Sequence, residues 1–247
     1  MCGKFTQMMS WREVVDWSGI LDSSDLPAIE GDQEELRTPT RRADVLHLDA
    51  MSRRTRTAMR WGFPGGQACT SRDPPKFIHA RAETIDQKPT FAESFRERRG
   101  ILPVQSFNEG QTVGGKIVQY RIRRADGRPI GIPVIWREFI FADTGEVVPC
   151  FAMVTVPSNA ALKNIATEYN ELIAPGSDRM PVQEIDRMPA TLRDADWALY
   201  LGETDADLAA IKAMLLRQDE FVAEEWVIEK EVPARKPARP SQEPTLF

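Results

Sequence analysis

The pattern of apolar and polar positions along the chain predicts many short strands and few helices. Period-two alternation and short apolar runs bounded by turn residues are typical of strands. They cover residues 45–49, 53–61, 77–81, 101–104, 120–123, 130–135, 139–141 and 147–156. Asp126-Gly127 and Asp143-Thr144-Gly145 stand between successive runs and predict two hairpins. Since hairpins join antiparallel neighbours, we expect a mainly antiparallel, α+β single domain.

Helical patterns are fewer and lie mostly toward the two ends. Helices are predicted over residues 8–17 (with Ser10 and Glu13 at capping-box spacing), 90–99 (closed by Gly100), 194–201 and 205–216. Residues 18–44 are predicted as an acidic loop, and residues 107–110 as a turn. The last fifteen residues contain four prolines and no core pattern. We therefore predict one domain over residues 1–232 and a disordered tail over residues 233–247.

Composition narrows the class of protein. With 42% hydrophobic and 28% charged residues in 247, the chain can bury a sizeable core. It contains no run of 18 apolar residues, and its start lacks the apolar segment of a secretory signal, so we expect a cytoplasmic protein. Three scattered cysteines and two histidines favour neither a disulfide framework nor a metal site, and no cofactor is expected. Cys69, Cys150 and His47 are interpreted as structural residues.

Charge is distributed unevenly along the chain. The formal net charge is −5, yet the stretch from Arg37 to Arg99 contains 14 Lys and Arg against seven Asp and Glu. A basic middle in an acidic chain indicates an anionic partner such as nucleic acid. The alternative is that these arginines pair with the acidic flanks inside the fold, and charge alone leaves both interpretations open.

The N-terminal residues offer a distinct chemistry. Removal of Met1 would make Cys2 the N-terminus, with an α-amine and a thiol on adjacent carbons. Their reference pKa values are about 8 and about 8.5, so both groups are partly deprotonated at neutral pH. The amine can condense with an aldehyde to an imine, and the thiol can close on the imine carbon to give a thiazolidine. The same pair could act as an N-terminal nucleophile in peptide hydrolysis.

Several sequence blocks, taken in order, resemble the SOS-response-associated peptidase (SRAP) family, whose members shield abasic DNA sites. The resemblance spans roughly residues 1–202. The blocks are Met1-Cys2-Gly3-Lys4-Phe5-Thr6, Arg60-Trp61-Gly62-Phe63-Pro64, Ala80-Arg81-Ala82-Glu83-Thr84, Lys88-Pro89-Thr90-Phe91, Arg98-Arg99, Ile101-Leu102-Pro103, Phe107-Asn108-Glu109 and Asp178-Arg179-Met180-Pro181-Val182. Lys4 stands where the family usually has Arg, and Phe107-Asn108-Glu109 matches the family's Phe-Tyr-Glu.

The resemblance implies a fold, a reaction and a set of residues. It implies a barrel-like core with flanking helices and a thiazolidine crosslink between Cys2 and an abasic site in single-stranded DNA. Glu109 would be the proton shuttle, whose work partial burial of the carboxyl would favour. Self-removal of Met1 would account for the peptidase name. The residues assigned to DNA binding are Lys4, Arg60, Trp61, Arg81 and Arg179, although core burial of Trp61 and internal pairing of the arginines are open alternatives.

The chain also departs from the family pattern. His79 occupies the position of a site-lining Asn, Gly110 that of a Trp and Gly100 that of a Cys. The family's catalytic His, which precedes Asp-Arg-Met-Pro, is absent. That motif occurs here at residues 178–181 and 186–189, preceded by Ser177 and Ile185, and a third register would put Ala166 at the His position. We therefore assign Ser177 to the lining of the site and propose that His79 has taken over the imidazole's role; loss of catalysis is the rival explanation.

Two other functions remain open from the sequence. One is a paralogue that binds single-stranded DNA without crosslinking, and the other is an N-terminal-nucleophile peptidase with no role on DNA. The terminal residues 242–247 resemble the short Gln…Leu-Phe peptides that dock on bacterial sliding clamps. We expect a monomer associated with the nucleoid and with no membrane partner.

Overall fold

The computed structural model describes residues 3–7, 35–66, 69–113, 116–163, 165, 185–218 and 225–231. Its strands are β1 (Lys4–Gln7), β2 (Glu35–Arg37), β3 (Arg42–Leu48), β4 (Arg54–Trp61), β5 (His79–Arg81), β6 (Arg99–Val104), β7 (Ser106–Val113), β8 (Lys116–Arg124), β9 (Ile130–Ile140), β10 (Val147–Pro157), β11 (Arg187–Pro189) and β12 (Trp226–Lys230). Its helices are α1 (Ala92–Glu97), α2 (Trp197–Leu201) and α3 (Leu208–Leu216), with 3-10 turns at Ala82–Thr84 and Asp194–Asp196.

Five strands close into a barrel at the centre of the molecule. Their order is β10-β4-β3-β6-β9, and β9 pairs back onto β10. All of these pairings are antiparallel except β10 with β4. The short strands β5 and β11 also pair with β10. Closure satisfies the hydrogen-bonding edges of the sheet and buries one face of every strand.

A second, five-stranded sheet packs against the barrel. Its order is β12-β8-β7-β1-β2, with every neighbour antiparallel. Phe5 of β1 joins the two layers, since its ring lies 5.1 Å from that of Trp61 in the barrel and both side chains are fully buried. The predicted α+β, mainly antiparallel single domain with a barrel-like core is confirmed.

Two predictions about the middle of the chain are wrong. Residues 107–110 do not form a turn but lie inside β7, the central strand of the second sheet. A turn does occur at Asp126-Gly127, where Gly127 has φ +74°, but the flanking strands do not pair with each other. β8 pairs with β7 and β12, whereas β9 pairs with β6 and β10. The apolar start of β9 is buried in the barrel, and this burial overrides the local turn signal.

The remaining predictions differ mainly at their boundaries. The hairpin at residues 143–145 is confirmed, with Ile140 opposite Val147 and Gly145 at φ +70°. Strand β2 and the start of β3 fall within the predicted loop, and β12 was not predicted. The predicted helix over 90–99 ends at Glu97, because Arg99 and Gly100 begin β6. The predictions for residues 8–17 and 233–247 lie outside the described residues. No described helix has the length and apolar character needed to cross a bilayer.

Candidate active site

Glu109 is a carboxyl buried in the middle of a sheet. It lies on β7 between β1 and β8, is 0% exposed, and both of its carboxylate oxygens are buried. Alternation along the strand puts Glu109 and Phe107 on one face, and Phe107 lies opposite Phe5. Because Phe5 contacts the barrel, the Glu109 side chain points into the space between the two layers.

The start of the chain reaches this strand directly. Lys4, the first residue of β1, pairs with Asn108, the neighbour of Glu109. Cys2 lies outside the described residues, and in the sequence only Gly3 separates it from Lys4. The first described strand of the chain therefore pairs with the strand that carries Glu109.

His79 lies on β5, a short strand that pairs with the barrel strand β10. It is half-buried on β5, opposite Met153 of β10, and its ring lies 6.3 Å from that of Trp61 in an edge-to-face arrangement. Trp61 in turn contacts Phe5. His79 thus lies in the barrel layer and Glu109 in the second sheet, and the contact of Trp61 with Phe5 joins these two layers.

Trp61 and Arg60 do not present a surface to DNA, so their assignment as DNA contacts needs correction. Trp61 is fully buried; its indole N–H donates to the Ile78 carbonyl at 3.1 Å, and its ring stacks on Phe151. Arg60 is only 7% exposed, donates to the Asp73 carbonyl at 2.8 Å, and its guanidinium lies 5.0 Å from the centroid of Phe141. Core packing accounts for both residues.

Of the other residues assigned to DNA binding, Arg81 and Lys4 are described by the structure, and they differ in exposure. Arg81, at the end of β5, is exposed. Lys4 is half-buried and its ammonium donates to Glu231, so any phosphate would have to compete with that carboxylate. Arg179 and Ser177 lie outside the described residues.

The second Asp-Arg-Met-Pro copy is built into the sheet. Its residues 187–189 form β11, which pairs with β10. The Arg187 guanidinium donates to both oxygens of Glu83, at 2.6 and 2.9 Å, and to the Thr155 carbonyl at 2.9 Å. These hydrogen bonds lower the pKa of Glu83. In this register Ile185, which is 5% exposed, precedes the motif, so an apolar residue occupies the position of the family His.

His47, Cys69 and Cys150 are buried residues that the sequence analysis interpreted as structural. His47 is buried; Nδ1 lies 2.9 Å from the Leu48 carbonyl and Nε2 lies 2.8 Å from the Thr57 hydroxyl. Because a carbonyl only accepts, Nδ1 carries the proton and the hydroxyl donates to Nε2. Burial lowers the pKa of His47 and raises that of the Cys150 thiol to about 12, and Cys69 is also buried. All three fit structural roles.

Several arginines of the basic stretch form ion pairs, some of them on the exposed surface. Ion pairs join Arg42 to Glu146, Arg53 to Asp49, Arg54 to Glu203, Arg56 to Asp44 and Arg98 to Glu93. Three of these acidic partners belong to the stretch itself and only Glu146 and Glu203 lie outside it, so these pairs leave most of its excess of positive charge in place. Glu231, which holds Lys4 and Asn108, was missed because it lies 227 residues from Lys4 along the chain.

Comparison with known proteins identifies relatives of the whole domain. Residues 1–234 match the family model described as SOS response associated peptidase (SRAP). Abasic site processing protein YobE of Bacillus subtilis (strain 168) is 23% identical over 220 residues, covering 89% of this chain and 90% of the relative. Abasic site processing protein YoqW of the same organism is 25% identical over 183 residues, covering 74% and 75%.

Solved structures share the fold. A crystal structure of a Bacteroides thetaiotaomicron protein has a TM-score of 0.67 at 20% identity, covering 93% of this chain and 92% of that one. A Bordetella bronchiseptica protein has a TM-score of 0.66 at 20% identity, covering 94% and 100%. Because the family model spans nearly the whole sequence, this chain belongs to the SOS response associated peptidase (SRAP) family.

Proposed function

We propose that this protein processes abasic sites in single-stranded DNA by linking them covalently to Cys2 after removal of Met1. Family membership and the abasic-site names of the relatives support a DNA lesion as substrate. The observation that carries the proposal is the pairing of β1, which begins two residues after Cys2, with the strand that buries Glu109.

The reaction needs no oxidant or reductant. The Cys2 amine adds to the ring-opened aldehyde carbon, and the resulting carbinolamine loses water to give an imine. The Cys2 sulfur then adds to the imine carbon, which closes a thiazolidine; overall one water is released. Glu109 protonates the departing hydroxyl and takes up the thiol proton. A buried carboxyl is suited to this work because it can exchange protons without competition from bulk water.

DNA binding in this proposal depends on fewer residues than the sequence indicates. Arg81 is exposed beside His79 and is the described arginine that we assign to a phosphate. Arg179 keeps this assignment from the sequence alone. Removal of Met1 by the Cys2 nucleophile would be the one peptidase step in this scheme.

An adduct assay tests the proposal. Protein whose Met1 has been removed, as verified by intact mass, is incubated with a single-stranded oligonucleotide that contains one abasic site. We expect a band that survives denaturing electrophoresis. Cys2→Ser should give no stable band, because an imine without the ring-closing sulfur is reversible; an oligonucleotide with a tetrahydrofuran in place of the aldehyde should give none either. A Cys2→Ser adduct at wild-type yield would refute the thiazolidine.

A non-catalytic DNA-binding paralogue is the second candidate, since Gly110 stands at the position of the family's Trp and no register of the Asp-Arg-Met-Pro motif supplies the family's His. It predicts that wild-type protein binds the oligonucleotide but forms no adduct. Hydrolysis of a peptide substrate without DNA binding would instead indicate a peptidase.

A further partner is proposed from residues 242–247, which lie outside the described residues. We assign this peptide to docking on a bacterial sliding clamp. Deletion of residues 242–247 should abolish clamp pull-down and leave adduct formation intact; persistent pull-down would refute the assignment.

A further inference from the structure

Glu231 holds together residues from two strands of the candidate site. Its Oε2 accepts a hydrogen bond from Nζ of Lys4, and its Oε1 accepts one from Nδ2 of Asn108 at 2.8 Å. Arg121 Nε lies 3.8 Å from the same carboxylate. One side chain from the C-terminal end of the domain therefore reaches both β1 and β7.

The sheet geometry explains how a distant residue can do this. The Glu231 amide donates to the Gln119 carbonyl at 2.8 Å, which extends the pairing of β12 with β8 by one residue. Lys4 lies opposite Asn108, and Asn108 lies opposite Arg121, so these three side chains share one face of the sheet. Glu229 lies opposite Arg121 in this register. Glu231, two residues further along on the same face, is the residue whose carboxylate reaches Lys4 and Asn108.

Glu229 shows that this contact is not a general feature of β12. It lies two residues away and pairs with Arg123 at 3.0 Å. Its side chain is 51% exposed, whereas that of Glu231 is 23% exposed. Glu229 stays on the outer two strands, while Glu231 contacts the strand that leads to Cys2 and the neighbour of Glu109.

The carboxylate charge matters to this arrangement. Burial alone would raise the pKa of Glu231, but hydrogen bonds from Lys4 and Asn108 bring a net lowering. Glu231 is thus an anion at neutral pH.

We propose that Glu231 is a positioning residue for the Cys2 reaction. It fixes the N-terminal strand, whose first residue Lys4 pairs with the sequence neighbour of Glu109, against β7. The proposal rests on the proposed crosslinking function for its chemistry, but the tether itself can be measured without DNA. It also gives Lys4 a role inside the protein instead of a phosphate contact.

The test compares Glu231→Gln with the matched variant Glu229→Gln, which removes the same charge from the same strand. At saturating abasic DNA, adduct formation should slow about ten-fold in Glu231→Gln, equivalent to about 1.4 kcal/mol. Its dissociation constant for intact single-stranded DNA should stay within about two-fold or tighten, because a nearby negative charge is removed. Glu229→Gln should match wild type in both.

A double variant identifies the partner. If Glu231 acts through Lys4, Glu231→Gln should add little to the effect of Lys4→Met on the adduct rate. Equal slowing in Glu229→Gln, or a wild-type rate in Glu231→Gln, would overturn the proposal.

Hydrogen exchange of the amides of residues 4–7 separates this inference from the proposed function. Glu231→Gln should expose these amides about ten-fold more often than Glu229→Gln does. Faster exchange without any wild-type adduct would refute crosslinking and leave the tether standing. Unchanged exchange with normal wild-type crosslinking would refute the tether alone.

Discussion

The closed barrel and the second sheet bury different kinds of residue. The barrel strands bury mainly aromatic and aliphatic side chains, such as Trp61 stacked on Phe151, with His47, Arg60 and Thr155 as buried polar exceptions. The central strand of the second sheet instead buries the polar side chains Asn108, Glu109 and Gln111. Buried polar groups contribute less to stability than apolar ones of similar size. We therefore expect the barrel to contribute most of the stability and, under the proposed function, the second sheet to carry the reacting carboxyl.

Glu109→Gln should separate chemistry from stability most strongly. The amide is nearly isosteric but cannot shuttle a proton, so the adduct rate should fall by roughly 10²–10⁴-fold. The free energy of unfolding should change by less than the adduct rate implies, by about 1–3 kcal/mol at most, since the amide keeps the shape and much of the hydrogen-bonding capacity of the carboxyl. Glu138→Gln, an exposed change on β9, is the control. An adduct rate at wild-type level in Glu109→Gln would remove Glu109 from the mechanism.

Trp61→Ala should show the opposite pattern. Loss of a fully buried indole should lower the free energy of unfolding by about 3–5 kcal/mol, measured by chemical denaturation. Under conditions where the variant remains folded, its affinity for single-stranded DNA should change little. A loss of affinity with unchanged stability would restore Trp61 as a base-stacking residue and contradict the contrast between barrel and sheet.

His79→Asn tests whether the barrel contributes to the chemistry at all. If His79 supplies the missing imidazole, the variant should form or reverse the adduct more than about ten-fold more slowly, about 1.4 kcal/mol of barrier. Single-turnover gels measure both directions. An unchanged rate would end the migration hypothesis and favour the non-catalytic paralogue.

Glu83→Gln should have the smallest effect, and it should depend on pH. A lowered pKa means that the Glu83–Arg187 pair stabilises the fold above the usual carboxyl value of 4.5 and loses this contribution as pH falls through the lower, folded value. At pH 7 we expect about 1 kcal/mol of destabilisation relative to wild type. The difference should shrink as the pH falls below the usual carboxyl value of 4.5. A difference that stays constant as the pH falls would show that packing, not charge, holds the second Asp-Arg-Met-Pro copy.

Turn residues in the sequence predicted a hairpin correctly only where the two flanking strands pair with each other. Asp143-Thr144-Gly145 joins two strands that pair with each other, so the turn residues and the ladder agree. Asp126-Gly127 makes an equally good turn, but its flanking strands belong to different sheets, which only burial across the whole fold decides. Residues 107–110 contain turn-forming Asn and Gly, yet they are held in β7 by strands on both sides.

The residues of the candidate site also fall into those that a local motif predicts and those that depend on partners distant in sequence. Cys2 and Glu109 could be named because they occur in sequence motifs that match the family. Glu231 could not, since neither its spacing nor its neighbours in sequence distinguish it from Glu229. Burial of Arg60 and Trp61 likewise depends on partners such as Asp73 and Ile78, which are brought to them only by the barrel.

Mapping the adduct within the protein shows whether the DNA is attached at Cys2 as a thiazolidine. Wild-type protein lacking Met1 is reacted with abasic single-stranded DNA, digested with a protease and a nuclease, and analysed by tandem mass spectrometry. We expect the nucleotide remnant on the N-terminal peptide, attached through both the amine and the sulfur of Cys2 with loss of one water. A remnant on Lys4, Cys69 or Cys150, or no adduct at all, would contradict the account.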